Sequence, residues 1–163
     1  MTATTSQTDQ FTGLLARFAR AVETGDGAAL ADLFTPDGIY DDYFFGPQQG
    51  RDAIAAMLGH FYEGGSAFRW VFFEPLSDGR TAYARYRFSY TSKAAAASGE
   101  RVCFDGISRF ALAGERIDSY TEVFDRGMAL AQQNYEPARL ARIGRKYATA
   151  LKARPDWAGH SQR

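Results

Sequence analysis

Phe11, Leu14, Leu15, Phe18 and Val22 recur at the three- and four-residue steps of one helix face, and Gly25 closes the run. The spacing predicts an amphipathic helix with Asp9 as its cap. Asp26 is placed to cap a second, shorter helix carrying Leu30, Leu33 and Phe34. Thr35-Pro36-Asp37-Gly38 reads as a turn, because proline presets φ at its start and glycine tolerates the backbone angles at its end. An aromatic strand, Gly38 to Pro47, comes next. Gly46 to Gly50 breaks it, and Ala53, Ile54, Met57, Leu58 and Phe61 restart the helical period until Gly64-Gly65.

From Ala67 the period becomes two, predicting strands near 67–75, 81–92, 101–111 and 116–124. Ser77-Asp78-Gly79-Arg80 and Ala113-Gly114-Glu115 supply tight turns, and Lys93 to Gly99 a looser connection. Strands joined this way pair antiparallel. On the second of them Ala84, Tyr86, Phe88 and Tyr90 share one face, and Tyr83, Arg85 and Arg87 the other. Aromatics on both faces predict that helices cover one and a second subunit the other, making a homodimer. Helical spacing returns at Met128 and Leu130, then from Pro137 through Leu140, Ile143, Tyr147 and Leu151, with Pro155 limiting its extension.

A chain of 163 residues, 45% hydrophobic and 15% aromatic, is enough for one domain with a sizeable core. Its apolar runs fall short of the roughly 18 to 20 residues that cross a bilayer, and Met1 to Gln10 has no signal pattern, so a cytoplasmic protein without membrane association is expected. Cys103, unpaired, reads as a small buried hydrophobe. Formal charge is zero but uneven: 12 of 19 basic and 18 of 19 acidic residues precede Pro137. The basic C-terminal helix is read as bracing the body or a dimer rather than binding nucleic acid.

Asp41 and Asp42 change the picture most. Neighbours on a strand point to opposite faces, so one of the two must enter the protein beside Tyr40, Tyr43, Phe44 and Phe45. Burial raises the pKa of such a carboxyl, the raw material of a general base or acid. Spacing alone leaves open which one faces in. Glu122 shares a face with Tyr120 and Phe124, and could instead pair with Arg85, Arg87 or Arg109 across strands. His60, on the third helix, is a candidate relay, and Asp125 a cap for the short helix after it. No zinc spacing, phosphate-binding glycine loop or nucleophile elbow occurs, so neither metal nor cofactor is expected. Tyr40, Tyr43, Trp70, Tyr86 and Phe88, with Phe18, Met57 and Phe61 from the helices, are candidate walls for a hydrophobic small molecule.

Several motifs add a resemblance. Gly25-Asp26 before Leu33-Phe34, then Pro36-Asp37-Gly38, the carboxylate strand, Gly50-Arg51-Asp52-Ala53-Ile54, and finally Gly114-Glu115-Arg116-Ile117 before Val123-Phe124-Asp125 resemble the SnoaL-like polyketide cyclase and ketosteroid isomerase group of the nuclear transport factor two-like superfamily. The resemblance implies an α+β fold in which a cone-shaped, curved, mixed sheet is wrapped by N-terminal helices. It divides the chain into a flexible start (1–10), a SnoaL-like domain (11–134) and a helical extension (135–163). It also implies that Asp42, or Asp41 if the following loop is one residue shorter, stands where ketosteroid isomerases keep their base. Phe18 and Gly106 then occupy the places of the oxyanion tyrosine and the second acid, which argues against a standard steroid isomerase. Tyr120 and Glu122 match the alternating histidine and aspartate of SnoaL-like cyclases. The Arg-x-Asp of limonene epoxide hydrolases is missing after Glu100, and Arg116-Ile117-Asp118 carries the spacing on the wrong strand. The leading expectation is a cofactor-independent isomerase, cyclase or dehydratase acting on a hydrophobic carbonyl compound through Asp42 or Asp41, supported by Glu122, Tyr120 and His60. The alternatives are a non-catalytic binding or assembly subunit and epoxide-hydrolase-like water activation.

Overall fold

The computed structural model describes residues 6–161. Residues 1–5 of the expected flexible start lie outside them. Helix α1 (Gln7–Thr24) opens before Phe11, because Ser6 and not Asp9 is its cap: Ser6 Oγ accepts from the Asp9 N–H at 3.1 Å while Asp9 accepts from the Ser6 N–H. This reciprocal pair satisfies two donors that a helix start leaves orphaned. Gly25 ends α1 at φ 71°, and Asp26 caps α2 (Gly27–Asp32) through the Ala29 N–H.

Strand β1 (Phe34–Asp42) starts earlier than expected, since Thr35 to Gly38 is an irregularity within the strand rather than a turn before it. Proline is tolerated there because a bulge leaves ladder donors unused. Gly46–Gln49 does not merely break the chain; it forms β2, antiparallel to β1. After α3 (Arg51–Gly64) come β3 (Gly65–Ser77), β4 (Thr81–Ser92), β5 (Arg101–Ala113) and β6 (Arg116–Phe124), an antiparallel meander with the expected alternation. The six strands lie in the order β2-β1-β6-β5-β4-β3, with β1 parallel to β6. Two register shifts in β3, with Ala67 and Glu74 at positive φ, add twist, and the sheet curves.

Helix α1 lies across one end of the curved face. Its Phe18 is fully buried, with ring centroids of Phe34, Tyr40, Trp70, Phe72, Phe110 and Tyr120 all within 6.5 Å. On the outer face Val71, Tyr83, Ile107 and Val123 are exposed, and Arg85 and Arg87 both stand over Phe73. Cys103 is exposed there too, against expectation, because alternation along β5 gives the inward positions to Val102 and Phe104. Helices α4 (Arg126–Ala131) and α5 (Pro137–Lys152) follow, and no residue of α5 is fully buried. No helix among the described residues is long and apolar enough to cross a membrane.

Candidate functional site

The end of the curved face that α1 does not reach holds a cavity of about 250 Å³. Its walls come from the ends of β1, α3, β3, β4, β5 and β6 and from the segment after α4. Asp42, the last residue of β1, faces into it and is only 5% exposed. The chain turns back at this point into β2, and Asp42 Oδ1 accepts the Phe44 and Phe45 N–H groups, each at 2.7 Å. Asp42 is therefore a turn residue as well as a cavity residue. Among the described residues no hydrogen bond reaches its Oδ2. Burial pushes the Asp42 carboxyl up to about 6, against the pull of those two N–H groups, and the Asp41 charge adds to the rise.

Glu122 is the second cavity carboxyl. Its Oε2 accepts the Tyr86 hydroxyl at 2.6 Å and the Tyr120 hydroxyl at 3.0 Å, and Ser108 Oγ lies 3.0 Å from the Tyr120 hydroxyl. Burial first and the Asp42 charge second push Glu122 up to about 8, although both tyrosines lower it. The pairing with Arg85, Arg87 or Arg109 does not occur: Glu122 stands opposite Ser108, one residue from Arg109 and so on the other face. Burial, followed by the Glu122 charge, raises the Tyr86 and Tyr120 hydroxyls well above the ordinary phenol value, so both remain donors. Gly106 makes the arrangement possible. A Cβ there would come within 2.6 Å of the Tyr86 oxygen, so the place where the resemblance expects an acid is vacated for a tyrosine that reaches Glu122.

Eight of the candidate residues converge on this cavity: Asp42 and Glu122, with Tyr40, Phe61, Trp70, Tyr86, Phe88 and His60. Five do not. Phe18 and Met57 are core residues. Tyr43 turns away to stack on Arg126, whose guanidinium lies 3.6 Å from its ring centroid. Asp41 points to the opposite side, where burial raises its carboxyl while Arg154 and Arg126 hold it down. Tyr120 sits behind Glu122, fully buried. His60 stands at the mouth, exposed, with Nδ1 3.3 Å from Glu63 Oε2. The spacing also hid contributors. Phe104 and Phe124, stacked at 4.3 Å, share the inward alternation of Phe110 and Glu122 and were findable from it, whereas Gln133 and Tyr135 follow α4 without any period. Among the described residues no group of His, Cys, Asp and Glu is arranged to hold a metal ion.

A protein-family description of the SnoaL-like domain matches residues 15–120. The chain belongs to the SnoaL-like family. No curated protein matches it significantly in sequence. Among solved structures, a candidate polyketide cyclase from Xanthomonas campestris pv. campestris is 20% identical, with a TM-score of 0.66 over 78% of this chain and 99% of that one. A protein of ketosteroid isomerase-like fold from Catenulispora acidiphila, in complex with trimethylamine, is 19% identical with a TM-score of 0.68, over 76% and 97% of the two chains. An LEH-like epoxide hydrolase from M. tuberculosis is 16% identical with a TM-score of 0.64, over 78% and 92%. These likenesses show the curved-sheet fold, in which this SnoaL-like chain lodges two carboxyls in one aromatic cavity.

Proposed function

We propose that this SnoaL-like protein is a cofactor-independent proton-transfer enzyme acting on a small hydrophobic molecule that carries a carbonyl or related group. The observation that carries the reading is the pair of carboxyls facing one cavity, Asp42 raised to about 6 and Glu122 to about 8, with no lysine or arginine among the described lining residues. At neutral pH such a pair divides its labour: Asp42 is mostly ionised and Glu122 mostly protonated. Asp42 Oδ2 takes a proton from a carbon next to the carbonyl, and the Glu122 carboxyl donates to the oxygen as negative charge develops there. The Asp42 carboxylic acid then returns its proton at another carbon while Glu122 takes its own back from the enol oxygen; in a cyclisation the enol carbon attacks an internal carbonyl whose oxygen takes the Asp42 proton, and in a dehydration that proton leaves with the hydroxyl as water. Isomerisation, cyclisation and dehydration all begin this way, and the proton count closes without oxidant or reductant. Water activation of the epoxide hydrolase kind gains no support, because Arg116 donates to the Asp32 and Phe34 carbonyls and Asp118 accepts from Thr35, neither beside the cavity.

The test is exchange of carbon-bound hydrogen for deuterium in a panel of aryl and cyclic ketones, followed by NMR. Wild-type exchange is expected to rise as Asp42 ionises near 6 and fall as Glu122 loses its proton near 8, these being values of the coupled pair. Asp42→Asn should slow exchange about a hundred- to ten-thousand-fold. Wild-type rates in that variant would remove Asp42 as the base. We also propose that two copies pair through the outer sheet face, where Val71, Tyr83, Ile107 and Val123 are exposed together. A monomer mass at micromolar concentration rejects that pairing.

A further inference from the structure

We propose that the ligand of this cavity carries an organic cation, a protonated or fully alkylated nitrogen, seated beside Asp42 Oδ2 with its alkyl groups against the aromatic walls. The inference deepens the proton-transfer reading by naming a substrate class for the same site.

What the cavity offers a ligand is one-sided. Tyr86 and Tyr40 line it but are fully buried: the Tyr86 hydroxyl is committed to Glu122, and the Tyr40 hydroxyl is shut behind the wall without a partner. The Trp70 indole N–H is shut away in the same manner. Once Glu122 has lost its proton, what a ligand meets inside is therefore acceptor oxygen and ring carbon, from Asp42, Glu122, Phe68, Phe88, Phe104 and Phe124. Ring faces carry negative electrostatic potential; ionised Asp42 adds to it, and Glu122 joins once it loses its proton near 8. The other donors of the lining are only half-buried or exposed: Gln133 Nε2, bonded to the Tyr90 hydroxyl at 2.8 Å, the Tyr90 and Tyr135 hydroxyls themselves, and His60, which faces Glu63.

Among the described residues nothing neutralises this field from inside. The charged groups that act on Asp42, or on which it acts, are Asp41, Arg126 and Glu122. Arg126 is the only cation of the three, and it is clamped outside the wall: its guanidinium lies 3.6 Å from the Tyr43 ring and 3.5 Å from the Tyr147 ring, and it donates to the Tyr43 carbonyl at 2.8 Å. The charge that acts on Glu122 is that of Asp42, and its partners Tyr86 and Tyr120 are neutral donors. A metal ion is a poor match for this field, since hard cations need six or more oxygen ligands and most of the wall is aromatic. A weakly hydrated organic cation loses little by leaving water and gains both the carboxylate and the ring faces. At about 250 Å³ the cavity takes a small one. In the proposed reaction, positive nitrogen near the carbon that loses its proton also makes that proton more acidic.

The experiment is calorimetric titration of the full chain with benzyltrimethylammonium, its neutral isostere neopentylbenzene and the anion phenylacetate, above the Glu122 value of about 8. The cation should bind at least about tenfold more tightly than the isostere, and phenylacetate should not compete. Asp42→Asn should erase most of the preference by weakening the cation far more than the isostere, and Glu122→Gln should reduce it independently, which keeps a reading if either variant fails to fold. Equal binding of cation and isostere, or a preference untouched in both variants, overturns the inference. Cation preference without Asp42-dependent exchange of any ketone or aminoketone leaves the inference standing and removes the proton-transfer reading; exchange of neutral ketones without cation preference does the reverse.

Discussion

The two ends of the curved sheet face are built from the same alternation of aromatic residues, yet one is solid and the other hollow. At the solid end α1 sets Phe11 against Phe110, and its Phe18 plugs the space between six rings, Phe34 and Phe110 among them. At the hollow end Phe88, Phe104 and Phe124 form equally aromatic walls, but α3 supplies only His60, Phe61 and Gly64 to the lining. Strands make walls at both ends; the helix facing them decides whether a cavity remains. The sharpest way to break this contrast is to delete one ring from each end. Phe18→Ala should cost about 3–5 kcal/mol of unfolding free energy, the range for a large aromatic removed from a closed core. Phe104→Ala should cost less than half of that, because its ring already borders the cavity. Urea denaturation of the two variants measures both, and equal costs would mean that the second end is packed as tightly as the first.

The hollow end also carries a stability penalty in its carboxyls that the solid end lacks. Asp42 and Glu122 both have folded values above their ordinary ones of 3.8 and 4.5, so the folded protein holds protons that the unfolded chain releases. Stability from this source is complete below about pH 4 and is lost as pH rises through about 6 for Asp42 and about 8 for Glu122. Asp42→Asn removes the first of these losses, and its side-chain oxygen can still accept the Phe44 and Phe45 N–H groups. The variant should be more stable than the wild type by about 1–3 kcal/mol at pH 8, the difference shrinking towards pH 5. Denaturation midpoints at the two pH values check it. A variant less stable than the wild type at pH 8 would mean that the carboxylate is favourably held and not poised for chemistry. Proton transfer and stability thus pull in opposite directions at one residue.

How much of this was legible depends on how local each feature is. The caps Asp26 and Asp125 were readable, because a helix start needs an acceptor within three residues. The inward face of β4 was readable from period two alone. The choice between Asp41 and Asp42 was not, since the irregularity between Phe34 and Ile39 resets the phase with which β1 enters the sheet. Tyr120 was readable beside Glu122 from period two, but its second partner, Tyr86, was hidden for a related reason. Only the register that puts Gly106 opposite both Tyr86 and Phe124 shows that the Tyr86 hydroxyl, and no arginine, reaches the acid. The cavity itself was the least legible, because an aromatic strand reads alike whether or not a helix fills the space in front of it.

The smallest effect concerns the outside of the hollow end. Tyr43 leaves the cavity because Arg126 holds it from outside, and α5 contributes Tyr147 to the other side of the same guanidinium. A helix with no fully buried residue is therefore linked, through Arg126, to the hairpin that carries Asp42. Tyr147→Ala leaves the Tyr43 stack and the bond to its carbonyl in place, so it should cost only about 0.5–1 kcal/mol, the worth of one partly exposed cation–π contact. It should leave the Asp42-dependent properties of the cavity unchanged, because nothing that faces Oδ2 is removed. Deleting 137–163 should lower the melting temperature by a similarly small amount. A much larger loss in either case would make α5 part of the core that α1 completes, and no loss at all would leave it unattached to the hairpin.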